Sequence, residues 1–211
     1  MHRYWGDVIA VSDGLGSKPF SDFGSHAACL AVQWAIRSSY RSGIERSCIT
    51  NLILENWLLR ISPLNPRDCA ATCLFAFRIF SGEIYIGMLG DGSVSLVKSD
   101  GSTVSISDDK QQGFSNITSA LSPSVSEKDW QWCTFSEEES RAIVLCTDGV
   151  ADDLSDIDGF VTGLIKVHSE LASISAARHS REMLDNWPTP KHSDDKTITC
   201  LLREEVSSED E

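Results

Sequence analysis

Apolar residues follow two rhythms along this chain. The run DVIAV (7–11) is apolar after its first residue and closes on a glycine-rich turn at 13–17, the pattern of a buried strand. From about 24 to 42 the spacing lengthens to that of a helix: Ala27, Ala28, Leu30, Ala31, Trp34 and Ala35 recur on one face, Asp22 or Ser25 can cap the start, and Gly43 can end it. A second helix is predicted over 46–61, carrying Ile49, Leu52, Ile53, Leu54, Trp57, Leu58 and Leu59, and stopped by the two prolines of SPLNP.

The rhythm then shortens again. Strands are predicted at 69–80, 84–90, 94–99 and 102–107, separated by the turns SGE, DGS and DG, and their regular spacing argues an antiparallel meander. Residues 108–128 are polar and read as a loop with a short helix. Strands follow at 130–136 and 142–147. The segment 156–187 is helical with a break near 168–172, and a last strand covers 196–203. Strands interleaved with helix pairs predict an α+β fold in which helices cover the outer faces of packed antiparallel sheets.

Length and charge narrow the class. With 211 residues, 41% of them hydrophobic and 23% charged, the chain suits one domain over 1–203 that needs no covalent staple, followed by an acidic, disordered tail at 204–211. A net charge of −13 disfavours a nucleic-acid surface, which would need basic stripes. The seven cysteines are odd in number and form no CxxC pair, so they read as reduced thiols of a cytoplasmic protein and not as a zinc site. No apolar run reaches the length of a membrane span, and the N-terminus has no signal-peptide pattern.

Chemistry concentrates where strands end. Acids occupy four such places: SDGLG with Asp13, GDGS with Asp91, TDGVADD with Asp148, Asp152 and Asp153, and SDDKT with Asp194 and Asp195. One Asp-Gly alone reads as a turn, and Asp100-Gly101 and Asp158-Gly159 are read that way. The set is different. Carboxylates gathered at one sheet edge repel by roughly 4 kcal/mol per pair at about 4 Å and an effective dielectric near 20. A fold tolerates this when a cation neutralises them, and oxygen-only ligands select hard ions such as Mg²⁺ or Mn²⁺. A glycine after Asp13, Asp91 and Asp148 leaves room for a carbonyl or a water.

Taken together, VSDGLGS, ATCLFAFRIFSGEIYIGMLGDGSVSLV, AIVLCTDGVADDLS and SDDKTITCLL resemble, in order and spacing, the motifs of the metal-dependent PPM (2C-type) serine/threonine protein phosphatases, closest to short bacterial members. The resemblance runs over nearly the whole chain. It implies a four-layer α-β-β-α sandwich with a metal site at one end of the sheets, holding two Mg²⁺ or Mn²⁺ ions and a third. Carried over by motif, Asp13 would bridge two metals and Gly14 would offer its carbonyl to one. Asp148 and Asp194 would hold the other, and Asp91 and Asp152 would serve the third. The metals would activate a water for in-line attack on phosphorus. The implied partner is a phosphoprotein, the substrate of a cognate Ser/Thr kinase, and the implied state is a monomer.

The pattern departs from the family at its start. Members usually carry a phosphate-binding Arg strand and an acidic motif well before the first Asp-Gly, whereas only 12 residues precede Asp13 here, and Arg3 is too close to take that role. The expectation is a chain lacking the usual N-terminal strand. Leu15 stands where many members have His, and Lys196 replaces an apolar residue, read as family variation. His26, His168, His179 and His192 are read as surface or structural residues, and Trp130 and Trp132 as sheet-face packing. Ser115, Asn116 and Thr118 fall in the segment where members vary near the site. Two functions compete: a phosphoserine/phosphothreonine phosphatase, and a catalytically impaired pseudophosphatase that binds phosphoprotein or a partner. A third reading, an α+β domain whose acidic turns are only turns, requires Asp13, Asp148 and Asp194 to lie far apart.

Overall fold

The computed structural model describes residues 7–39, 45–79, 81–107, 119–188 and 194–203. Ser115, Asn116, Thr118, His192, Gly43 and the acidic tail lie outside the described residues. Eight strands form two antiparallel four-stranded sheets. The first has the order β1 (Asp7–Val11), β2 (Cys73–Arg78), β3 (Glu83–Leu89), β6 (Gln131–Ser136). The second has β5 (Thr103–Ser107), β4 (Ser93–Lys98), β7 (Ser140–Cys146), β8 (Ile198–Leu202).

Strand alternation sorts the side chains into three apolar layers. From β2, Leu74 and Ala76 point between the sheets, where they meet Ile86 and Met88 of β3, Val94 and Leu96 of β4, and Ile143 and Leu145 of β7. Cys73, Phe75 and Phe77 point the other way, under α1 (Ser21–Ser39) and α2 (Arg46–Ile61). On the far side Ala142, Val144 and Cys146 of β7 face Val161, Leu164 and Ile165 of α4 (Ile157–His168). A strand buried on both faces needs apolar residues at every position, which is why 142–146 is apolar without a break. The four layers are those the sequence predicts. No helix among the described residues is long and apolar enough to cross a membrane.

Several local expectations shift. Helix α1 starts at Ser21 and not near 24, and its buried stripe runs through Ala28, Ala31, Val32, Ala35 and Ile36, with Trp34 left 43% exposed. Small alanines let the helix lie close to its neighbours, and a tryptophan fits only outside that seam. In α2, Leu59 is likewise turned outward while Ile49, Ile53, Trp57 and Ile61 are buried. Trp57 Nε1–H donates to the Gly24 carbonyl at 3.0 Å, tying α2 to α1. The predicted strand at 69–80 begins only at Cys73, because the preceding residues are engaged elsewhere, as described below. The break at 168–172 separates α4 from α5 (Ser173–Asp185).

The meander is the largest correction. β2 and β3 share one sheet and β4 and β5 the other, so the chain crosses between sheets after β3. Gly90 (φ 93°) and Gly92 (φ 130°) make that crossing in a backbone region costly for any residue with a Cβ. Asp158-Gly159 is not a turn: it lies in the first turn of α4, where Asp156 caps the helix by accepting Gly159 N–H at 2.9 Å. Trp130 and Trp132 both pack on Phe75, with ring centroids 5.5 Å away in each case, so their packing role holds. All seven cysteines are free thiols.

Candidate metal centre

The ends of β1 and β7 and the start of β8 lie at the same end of the sandwich, and each delivers one acid there: Asp13 two residues past β1, Asp148 two past β7, Asp194 four before β8. Short straps hold these loops. Thr72 N–H donates to the Asp13 carbonyl at 2.8 Å, and Thr72 Oγ1 accepts Asp13 N–H at 2.9 Å. Ser12 Oγ donates to the Thr72 carbonyl, Gly14 forms a β-bridge with Ala71, and Leu15 N–H donates to Ala70 at 3.0 Å. Residues 70–72 are therefore a splint for the Asp13 loop, which is why β2 starts late.

Asp148 opens the short helix α3 (Asp148–Ala151), and its Oδ1 accepts Gly149 N–H at 2.8 Å. A Cβ on Gly149 would stand 2.4 Å from the Asp195 carbonyl oxygen and 3.3 Å from Cβ of Asp194. Glycine is thus what lets the Asp148 and Asp194 segments touch.

These contacts make the three acids electrostatic neighbours. The Asp13 carboxyl is pushed up to about 6, first by burial and then by the charges of Asp148 and Asp194, against the lowering effect of a hydrogen bond from the Gly14 backbone. The contact between the Asp148 and Asp194 segments and the charges acting on Asp13 speak against the reading in which the acidic turns are unrelated. Among the described residues no group of three or more His, Cys, Asp or Glu side chains stands in metal-holding geometry. The donor set fits a hard divalent ion: oxygen atoms only, crowded enough to need neutralising.

Asp91 and Asp152 stand further out. Asp91 lies on the crossing turn, whose Gly92 would place a Cβ 2.6 Å from the Cys146 carbonyl, so this turn abuts the strand that leads to Asp148. Asp152 is an exposed residue at the end of α3, its N–H donating to the Asp148 carbonyl at 2.8 Å. The charges that raise Asp13 are those of Asp148 and Asp194.

Sequence reasoning missed the residues that hold the loops. Thr72 and Thr147 carry no local signal, since a threonine in or beside a strand is ordinary. Asp153 is a buried acid: its side chain is 2% exposed, accepts Trp187 Nε1–H at 2.9 Å, and lies 3.3 Å from Lys196 Nζ. Lys196, read as simple variation, is its partner. A cleft of about 590 Å³ lies at the opposite end, lined by Asp7, Arg78, Glu137, Arg141 and Arg203 among others. It contains none of the clustered acids.

An α-β-β-α sandwich with acid-bearing loops converging at one end of its two sheets defines the class. The profile of the Protein phosphatase 2C family matches residues 2–187, and the chain belongs to that family of phosphoprotein phosphatases. Solved structures agree at the level of fold. The photosystem II phosphatase PBCP superimposes with a TM-score of 0.59 at 20% identity, over 83% of this chain and 66% of that one. RsbX in complex with magnesium gives 0.56 at 18%, over 92% and 79%. The catalytic domain of the serine threonine protein phosphatase PstP in complex with two manganese ions gives 0.53 at 16%, over 82% and 78%. A search of curated proteins finds no match to the sequence.

Proposed function

We propose that this chain is a divalent-metal-dependent phosphatase acting on phosphoserine or phosphothreonine in proteins. The observation that carries the reading is the convergence of Asp13, Asp148 and Asp194 from three separate strand ends, close enough for two of them to raise the third. The manganese in PstP and the magnesium in RsbX support the choice of metal.

Asp13, the Gly14 carbonyl, Asp148 and Asp194 would hold two Mg²⁺ or Mn²⁺ ions, with Asp91 and Asp152 available to a third. Bound there, the ions would polarise a phosphoryl oxygen and supply a water nucleophile at neutral pH. The residues themselves do three things. The carboxylates set the charge and geometry of the site, the Thr72 strap and the paired hydrogen bonds between Thr147 and Thr197 fix their spacing, and Gly149 keeps the Asp148 and Asp194 segments in contact. Leu15 presents no ionisable group beside Asp13, so a proton for the leaving serine or threonine oxygen must come from elsewhere in the site or from solvent.

The test is hydrolysis of a phosphopeptide with Mn²⁺ titrated in, comparing the wild type with Asp148→Asn. A metal-dependent rate that falls by about 100-fold or more in the variant is expected. Metal binding without turnover would return the chain to the binding-module reading. Turnover indifferent to both metal and Asp148 would overturn the proposal.

A further inference from the structure

We propose that Lys196 and Asp153 form a positioning pair that sets where Asp194 stands relative to Asp148, an inference that rests on the metal-site reading above. Lys196 lies two residues beyond Asp194, and Asp153 two residues beyond α3, the helix that Asp148 opens. The pair therefore links the two segments that carry these acids. Lys196 Nζ is 3.3 Å from Asp153 Oδ2 and donates to the backbone carbonyl of Asp194 itself, also at 3.3 Å.

The pair is placed to be stiff. The Lys196 side chain is 12% exposed and that of Asp153 2%. Asp153 Oδ2 also accepts the Trp187 indole N–H at 2.9 Å, and Trp187 packs edge-on against Phe160 of α4, with centroids 5.7 Å apart. An ammonium with a buried carboxylate on one side and a ligand-segment carbonyl on the other has little freedom to rearrange, because either partner left alone would be a desolvated group without compensation. An ion pair serving stability alone has no need to engage the Asp194 carbonyl. This one does, and so transmits the anchored position of Asp153 to the residue whose carboxylate acts on Asp13. Groups that orient metal ligands from behind typically change affinity 10- to 100-fold when removed.

The experiment uses the full chain with Lys196→Met, which keeps length and loses charge, Lys196→Arg, which keeps charge, and Asp153→Asn. Two readouts are independent of turnover: Mn²⁺ affinity by calorimetry, and hydrogen exchange at the Thr197 amide in metal-free protein. Lys196→Met and Asp153→Asn are expected to bind Mn²⁺ at least tenfold more weakly and to exchange Thr197 faster, with Lys196→Arg restoring much of both. Faster exchange with wild-type Mn²⁺ affinity would make the pair merely structural and overturn the proposal. So would wild-type behaviour in both readouts. If Lys196→Met does not fold, Asp153→Asn decides by the same criteria. Failure of the wild type itself to bind Mn²⁺ would overturn the metal-site reading and this inference with it, and is distinguished by being seen without any substitution.

Discussion

Thr147 and Thr197 exchange two hydrogen bonds: Thr147 N–H donates to the Thr197 carbonyl at 3.1 Å, and Thr147 Oγ1 accepts Thr197 N–H at 3.1 Å. One threonine immediately before Asp148 thus grips the loop that carries Asp194. Thr72 grips the Asp13 backbone by the same two atoms. The candidate metal centre is built on these latches as much as on its acids.

Thr147→Val preserves the β-branched shape and removes the acceptor, leaving the Thr197 N–H without it. Loss of such a bond costs about 1–2 kcal/mol. A melting temperature lower by roughly 2–8 °C is expected for a domain of this size, together with weaker Mn²⁺ binding. Thermal denaturation with and without Mn²⁺ measures both, and an unchanged curve would remove the latch from the account.

Gly149→Ala introduces a Cβ 2.4 Å from the Asp195 carbonyl oxygen, so the Asp194 segment must move. Phosphatase activity and Mn²⁺ affinity should fall by about tenfold or more, the effect expected of disturbed ligand support. Gly16→Ala is the control, since a Cβ there meets nothing within 4 Å. Equal activity of the two variants would contradict the close approach.

The raised Asp13 carboxyl makes a signed prediction. Its folded value, about 6, lies above its ordinary 3.8, so between those values the folded protein holds more protons than the unfolded one. Asp13 therefore costs stability increasingly as pH rises from about 4 to 6, and fully above that. In chelator at pH 7, Asp13→Asn should be more stable than wild type, by about 1 kcal/mol once solvent screening of this half-buried group is allowed for. Added Mn²⁺ should reverse the order by stabilising the wild type, and its binding should tighten from pH 5 to 7 as the proton is displaced. Parallel urea titrations at pH 4.5 and 7 check the sign.

Gly163 lies inside α4 with open space around it and no unusual backbone angle. Gly163→Ala should stabilise the protein by about 0.5–1 kcal/mol through the unfolded chain's lost freedom, without altering activity. A lower melting temperature would show that α4 does not hold this geometry in solution.

Much of this molecule is written locally. The strand and helix rhythms, the break before α5 and the apolar run that must be buried on both sides follow from side-chain period alone, which is why α2 falls on its predicted span, 46–61. Asp13, Asp91 and Asp148 were legible because each is followed by a glycine at the end of a strong strand, and Asp194 because it stands in an acidic pair just before the last one. What local pattern could not supply was partnership. Strands β3 and β4 look like consecutive arms of one meander, and only the packing of two sheets decides that the glycine turn between them crosses over. Asp153 and Lys196 each look like a solvated charge, and only the folded chain buries them against one another. Hydrogen bonds of the backbone and the pairing of distant charges do not depend on neighbours in sequence, so the sequence determined which elements form and which acids are candidates. The tertiary structure decided which of them meet.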